Sequence, residues 1–323
     1  MNKKLCIIIP MFNSEDFIEQ TINSILDSNL KKDLYSILIV NDGSTDNGPN
    51  IVKYIMKNNH LVNMISRENG GLSMARNTGI ENTDADYIWF FDSDDTASYN
   101  LDAIEEALDD STADVYAFQY NWLNTDNKFV GIGCHHPTVI HNKYITGRDA
   151  IMQGYTPGSV CGMLLRKDFL KRNGLRFQHG ITHEDVVFTY TMLTKVSKIY
   201  FSYKIIYNYI LRDNTMSRAL DIPRKIKYLS DDAEVIKAFR GLSEEYKYKD
   251  RQLSEKINNY ANGVLFGLVY TLFKNRKKWK KNGINKAVLD RLKKEKLYPL
   301  KLSYHSLKKH IACILLNIEC LIS

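Results

Sequence analysis

The sequence predicts an α/β fold, a mostly parallel, Rossmann-like sheet flanked by helices and followed by a smaller helical region. Three observations predict it. Short β-branched apolar runs alternate with amphipathic stretches through the first hundred residues, the pattern of a parallel sheet with helices on both faces. Three of those runs exit into polar turns: Pro10-Met11-Phe12-Asn13, Asn41-Asp42-Gly43-Ser44 and Asp92-Ser93-Asp94-Asp95. Beyond Pro223 the alternation gives way to helical periodicity with basic faces.

Each element has its own signal. Residues 5–9 are a continuous apolar run, followed by Phe17, Ile18, Ile22, Ile25 and Leu26 at helical spacing. Residues 35–40 form the next strand, and Thr45 or Asp46 is placed to cap a helix carrying Ile51, Val52, Ile55 and Met56. Residues 61–65 are a third strand, 73–80 a helix and 87–91 a fourth strand. Ligands on such sheets bind outside the carboxyl ends of the strands, so the three polar exits mark one site. In the second region, Leu253, Ile257, Tyr260, Ala261, Val264, Leu265, Leu268 and Leu272 define a long amphipathic helix, and Leu307, Ile311, Ile314, Leu315, Ile318, Leu321 and Ile322 define another. The boundary falls near residue 218, giving a catalytic region over 1–218 and a helical region over 219–323.

Composition bounds the function. With 323 residues, 44% hydrophobic and 25% charged, the chain has the balance of a globular protein with a sizeable core. It has no apolar run of the roughly 18–20 residues that a spanning helix needs. Lys3 and Lys4 before the first apolar run resemble a signal peptide only briefly, because Pro10 and a polar run follow without a small-residue cleavage site. Five scattered cysteines, an odd number, fit a reducing compartment, so the expected location is cytoplasmic. Residues 1–220 carry 21 Lys and Arg against 26 Asp and Glu, whereas residues 221–323 carry 23 against 11. That asymmetry suits an anionic partner for the second region, a membrane surface or a phosphate-bearing acceptor. No nucleic-acid-binding motif accompanies it.

Four elements carry chemistry. Grouping Asp92, Asp94 and Asp95 at a strand end is costly unless a cation joins them. Mg²⁺ or Mn²⁺ would take one or two of these carboxylates plus phosphate oxygens; the alternative is a solvated turn that caps a helix. Asp42 beside Gly43 is placed to accept a hydrogen bond from a base N–H such as a uracil imide, or the segment is an ordinary strand-to-helix turn. In Arg67-Glu68-Asn69-Gly70-Gly71-Leu72-Ser73-Met74-Ala75-Arg76-Asn77, paired glycines let backbone approach a ligand, with Arg76 in reach of a phosphate or base. His183-Glu184-Asp185 opens a helix, where acids complement the dipole or Asp185 serves as a general base. Arg212 is a diphosphate clamp or a surface ion pair. The group Cys134, His135, His136 and His141 fits no common structural zinc spacing, and His179 and His183 lack the zinc-protease signature.

The joint order of Pro-Met-Phe-Asn, N-D-G-S-T-D, E-N-G-G-L-S-M-A-R-N, D-S-D-D and H-E-D resembles the family 2 inverting glycosyltransferases of the GT-A fold, of bacterial surface-polysaccharide type. The resemblance covers roughly residues 5–217 and is strongest over 5–95. It implies a nucleotide-sugar donor, a divalent metal (Mn²⁺ or Mg²⁺) at the D-x-D element, and inversion at the anomeric carbon. It places Pro10, Phe12, Asn13 and Asp42 around the base, with Asn69 and Arg76 completing the nucleotide pocket. Asp92, Ser93 and Asp94 would hold ribose, metal and diphosphate, with Asp94 and Asp92 as metal ligands. Arg212 would clamp the diphosphate and Asp185 would be the base. Asn41 stands where the family has a first aspartate, and Thr215 replaces a serine after Arg212.

The implied reaction moves a sugar, most simply from a UDP-sugar, to a hydroxyl of a glycan or lipid-linked acceptor in capsule, lipopolysaccharide or wall-polymer synthesis. A nucleotidyltransferase would want a basic, glycine-rich loop at Pro10–Asn13, which is absent. A catalytically silent nucleotide-sugar-binding subunit would be expected to lose acids that are present here. Lys274-Asn275-Arg276-Lys277-Lys278-Trp279-Lys280-Lys281 and the last amphipathic stretch suit peripheral contact with an anionic membrane, Trp279 sitting at headgroup depth; packing or a homodimer seam is the other use of the same face.

Overall fold

The computed structural model describes residues 3–133, 142–156, 159–212, 221–300 and 311–317. The chain forms two compact units, residues 1–180 with 184–212, and residues 181–183 with 213–323. The boundary read at 218 lies outside the described residues, as do Cys134, His135, His136, His141, Thr215, Leu307, Ile318, Leu321 and Ile322.

The first unit is a ten-stranded sheet with the order β3-β2-β1-β4-β9-β6-β10-β5. Its front is the parallel block read from the sequence: β1 (Leu5–Met11), β2 (Tyr35–Asn41), β3 (Val62–Ser66) and β4 (Tyr87–Phe90). Every residue of β1 is buried, as a central strand covered on both faces must be. The helices between these strands are α1 (Ile18–Leu26), α2 (Gly48–Asn58) and α3 (Leu72–Glu81). Asn47, rather than Thr45 or Asp46, holds the cap position of α2. Asp46 lies one residue further out and still accepts the Gly48 amide at 3.1 Å. Helix α3 comes so near β1 that a Cβ built on Gly79 would lie 2.4 Å from Ile8. Only glycine permits this approach.

Past β4 the sheet becomes mixed. After β5 (Thr96–Ala97) and α4 (Asp102–Asp110), β6 (Val115–Asn124) is parallel to β10 (Ile199–Leu211) but antiparallel to β7 (Phe129–Gly133) and β9 (Met163–Arg166). Strand β9 is also antiparallel to β4, which joins the two halves of the sheet. The short β8 (Tyr144–Ile145) pairs with the start of β10. Helices α5 (Gly147–Met152), α6 (Lys167–Arg172) and α7 (Glu184–Leu193) complete the unit. Buried aromatic side chains fill the core around β4, with Trp89, Phe90, Phe91, Tyr87 and Tyr207 all within 1% of full burial.

The second unit is built on α8 (Ile222–Tyr246) and α9 (Arg251–Lys274), with α10 (Arg276–Trp279), a 3-10 turn and α11 (Ile284–Lys294). Asp221 and Asp250 cap the two long helices through their side chains. Of the periodic apolar positions of α9, Leu253, Ile257, Ala261, Leu265, Leu268 and Leu272 are buried, whereas Tyr260 and Val264 are half-buried. Trp279 corrects the sequence reading. Its ring is 8% exposed, because α10 folds it inward, and it is unavailable to a membrane interface. Lys274, Lys277, Lys278 and Lys281 around it are exposed. Among the described residues, no helix is long and apolar enough to cross a membrane.

Candidate active site

The parallel strands β1, β2 and β4 deliver their polar exits to one edge, and hydrogen bonds tie those exits together. Asn13, in the left-handed region at φ 50°, accepts the Thr45 amide at 2.8 Å and donates its own amide to Ser44 Oγ at 3.1 Å. This joins the first exit to the second. The first and third exits meet at Ser14 and Ser93, whose hydroxyls are 2.8 Å apart.

Asp42 is buried and its carboxylate is fully occupied. It accepts the amides of Gly70 at 3.1 and 3.2 Å and of Gly71 at 2.7 Å, and it pairs with Arg67. The paired glycines therefore approach a carboxylate of the protein's own. Gly43, at φ 76°, faces the same loop, where a Cβ would lie 2.9 Å from the Asn69 amide. Asp42 is thus the organiser of the 67–71 loop. Phe12 and Asn69 are left exposed at the rim, while Pro10 lies buried inside β1.

The Asp92–Asp95 turn divides its acids. Asp95 is 2% exposed and anchors β10, accepting the Ile210 amide at 2.8 Å and the Tyr207 hydroxyl. Burial, with Asp92 and Asp94 adding to it, pushes its carboxyl up to about 8. Burial and Asp92 also push Asp94 up, against the pull of Arg212. Arg212 Nη1 lies 3.2 Å from Asp94 Oδ2, and its guanidinium stacks 4.4 Å from the Phe17 ring centre. Asp92 Oδ1 receives Arg76 Nη2 at 3.0 Å. One oxygen each of Asp92 and Asp94 has no side-chain partner among the described residues. No group of three His, Cys, Asp or Glu suited to a metal occurs among those residues. The donor set still fits a divalent ion of the kind that takes one or two carboxylates and completes its shell with phosphate and water.

Arg76, expected to complete the nucleotide pocket, turns inward. It is 3% exposed, with Nη1 2.6 Å from Glu184 Oε1 and Nη2 on Asp92. The Phe177 ring lies 5.2 Å from the guanidinium carbon. The reason is that α3 packs against the sheet on the side where α7 begins, so the nearest anions are the protein's own. Burial works against the Arg76 charge, but Asp92 and Glu184 outweigh it and hold the group cationic. Next to Glu184, the Asp185 carboxyl is half-buried and accepts the Val186 amide at 2.8 Å. Desolvation and the Glu184 charge push it up to about 7, Arg76 opposing them.

Sequence reasoning brought Asp92, Asp94, Arg212, Asp42 and Asn13 to one edge, and they are there. It assigned no role to Glu184 beyond a helix dipole and none to Arg67, and it grouped Asp95 with the cation-binding acids, whereas Asp95 is buried against Tyr207 and the Ile210 amide. The His183 imidazole is structural: it lies 3.1 Å from the Tyr228 carbonyl oxygen and 3.4 Å from Asp232.

A family model described as glycosyl transferase family 2 matches residues 6–174. The chain belongs to that family. It is 28% identical over 221 residues to the uncharacterized glycosyltransferase YibD of Escherichia coli, covering 67% of this chain but 63% of that relative's length. It is 29% identical over 251 residues to the poly(ribitol-phosphate) β-N-acetylglucosaminyltransferase TarP of Staphylococcus aureus, covering 73% of this chain and 72% of TarP. Among solved structures, S. aureus TarS 1-349 in complex with UDP-GlcNAc superposes with a TM-score of 0.61 at 20% identity, over 98% of this chain and 79% of that one. The mannosyltransferase PcManGT of Pyrobaculum calidifontis, in complex with GDP-Man and Mn²⁺, gives 0.53 at 14% identity, over 93% and 89%. These likenesses establish the GT-A architecture.

Proposed function

We propose that this glycosyltransferase transfers a sugar with inversion from a UDP-sugar to a hydroxyl of a bacterial surface glycan or lipid-linked acceptor. The observation that carries the reading is Asp185. Burial and the Glu184 charge push its carboxyl up to about 7, where a general base combines availability with proton affinity, and the Glu184–Arg76–Asp92 chain ties its helix to the D-x-D exit. In the step itself the acceptor oxygen attacks the anomeric carbon and gives its proton to Asp185. The bond from that carbon to the β-phosphate oxygen breaks and UDP leaves. With Asp185 as the base and the other carboxylates of the described site assigned to the metal or to arginine, the reaction is a single displacement.

The loop that Asp42 organises, with Phe12 and Asn69 at its rim, would receive the base, and Arg212 would exchange Asp94 for the donor diphosphate. Asp92 and Asp94 would hold Mn²⁺ or Mg²⁺, which when bound neutralises charge on the leaving diphosphate. UDP rather than GDP, and an N-acetylhexosaminyl rather than a hexosyl group, are favoured by the names of the relatives. A phosphate-rich polymer, such as the poly(ribitol-phosphate) of TarP's name, suits the basic second unit; an anionic membrane surface at the inner face of a cell is the same chemistry in another form.

A panel of UDP-, GDP- and dTDP-sugars tested by thermal shift with and without Mn²⁺ should single out a UDP-sugar. The product anomeric proton, read by NMR coupling in a gluco- or galacto-configured sugar, should report a β-linkage from an α-donor. An α-linked product would replace this mechanism with a retaining one.

A further inference from the structure

Glu184 is an odd acid to bury. A carboxylate that merely complements a helix dipole does so from the solvated first turn, yet Glu184 is 5% exposed at the start of α7. Its partner, Arg76, is buried as well, and its Nε has no acceptor among the described residues. Desolvating such a set offsets much of its Coulombic attraction, so a buried ion pair is weak evidence of stabilisation. What it does supply is geometry. The guanidinium is a planar fork whose two Nη groups lie at a fixed separation. Here one tip holds Glu184 at 2.6 Å and the other holds Asp92 at 3.0 Å. Phe177 lies against the same guanidinium at 5.2 Å and stacks in turn on Phe188 of α7, with ring centres 3.9 Å apart. The fork therefore has an apolar wall that itself belongs to the packing of α7.

Resting on the glycosyl-transfer reading above, we infer that Arg76 and Glu184 are positioning residues: the buried Glu184–Arg76–Asp92 chain fixes the foot of α7, and with it Asp185, against the strand exit that holds the donor. Arg76 then touches neither base nor phosphate. It sets the separation between the donor-holding acid and the acceptor-facing one. Asp92, with Oδ1 committed to Arg76, has its other oxygen without a side-chain partner among the described residues. The charged groups around Asp185 are Glu184, which disfavours its ionisation, Arg76, which favours it, and Asp92, which disfavours it. The same pair that places the base therefore tunes it, and the two members tune it in opposite directions.

The test uses the full chain, UDP binding by calorimetry, and turnover as Mn²⁺-supported UDP-GlcNAc hydrolysis, in which water takes the acceptor's place. Glu184→Gln keeps size and removes charge. UDP affinity should stay within about twofold while turnover falls about 10–100-fold, the scale of a base misplaced by an ångström or less. The acid limb of its pH profile should also move to lower pH, because a group opposing Asp185 ionisation is gone. Arg76→Lys keeps the charge and loses the fork, so it should show the same split between affinity and turnover. Arg76→Met should move the acid limb the other way. If Arg76→Met fails to fold, as a lone buried carboxylate can cause, the two size-conserving variants carry the test, their folding checked by circular dichroism. Wild-type turnover in Glu184→Gln overturns the inference. So does Arg76→Lys losing UDP affinity by more than about tenfold with turnover at saturation intact, the pattern of lost ground-state binding, because Arg76 would then be a nucleotide ligand. A wild-type chain that neither binds UDP nor hydrolyses the donor sinks the parent reading first, and this one with it.

Discussion

The turn at Asp92–Asp95 and the corner at Lys274–Lys281 are both runs of like charge, and the protein treats them in opposite ways. In the acidic turn, Asp95 is buried under Tyr207 and the Ile210 amide, and Asp94 is pushed up by burial and Asp92. Arg76 pairs with Asp92, and Arg212 with Asp94 at 3.2 Å and Asp95 at 3.8 Å. In the basic corner, Lys274, Lys277, Lys278 and Lys281 stay in solvent and the apolar Trp279 is the residue folded inward. Buried like charges demand a partner of fixed place and sign, because solvent no longer screens them. Exposed ones are screened over about 8–10 Å at physiological salt and accept a partner of almost any shape. The first arrangement suits chemistry on one phosphate; the second suits a diffuse anionic surface.

The largest effect expected on this contrast is at Asp185. Asp185→Asn keeps shape but takes no proton, so turnover should fall about 10²–10⁴-fold with UDP affinity unchanged. Wild-type turnover should rise with pH through about 7, following the Asp185 carboxyl. The stability sign follows from the same shift. A carboxyl whose folded pKa is raised contributes stability that is full below its unfolded value, about 4, and is lost as pH rises through the folded one. Asp185→Asn should therefore unfold at a higher temperature than wild type at pH 8 and show no such gain at pH 4. A turnover loss accompanied by lost UDP binding would move Asp185 to the donor side.

A smaller effect is expected at Asp94. Asp94→Ala should erase the difference between UDP affinities measured with and without Mn²⁺, while leaving the melting temperature of the metal-free protein equal or raised, since a repulsive charge is removed. A mutant that still binds UDP more tightly with Mn²⁺ would show that the acidic turn does not hold the ion. The smallest effect on transfer is expected at the basic corner. Replacing Lys274, Lys277, Lys278 and Lys281 with Gln should leave transfer to a short soluble acceptor unchanged. The same variant should lose binding to anionic liposomes, each basic residue near such a surface being worth about 1 kcal/mol. Binding that survives these changes, or that ignores salt, would leave the corner without an electrostatic role.

The front of the sheet was legible because its signals are local. A β-branched run ending in Pro10, in Asn41 or in Asp92 states both the strand and its exit within a few residues, and α2 and α3 follow at once. The back was less so. Strand β10 runs 13 residues and pairs with β6 in parallel while β9 slips antiparallel between β6 and β4, an order that no local run encodes. In the site, Asp42 was legible as an acceptor, but its donors are the glycines 28 and 29 residues later. The inward turn of Arg76 was not legible, since its partner Glu184 stands 108 residues away. Trp279 misled because an aromatic among lysines has the same sequence signature at a membrane and in a helical core; only packing separates them.

Gly79 lies outside every motif, three residues beyond Arg76 on α3, and it is what lets that helix rest against Ile8. On the positioning role inferred for Arg76, the alignment of donor and base would depend on an atom the chain does not have. A mutational survey that follows ligand distance would pass over the position, yet a methyl added there would lie 2.4 Å from Ile8, so either that side chain or α3 with its Arg76 fork must give way. Enzymes of this build can be detuned from the back of the helix as readily as from the mouth of the cleft, and engineering that sets out to re-aim the base has a lever there that touches no substrate.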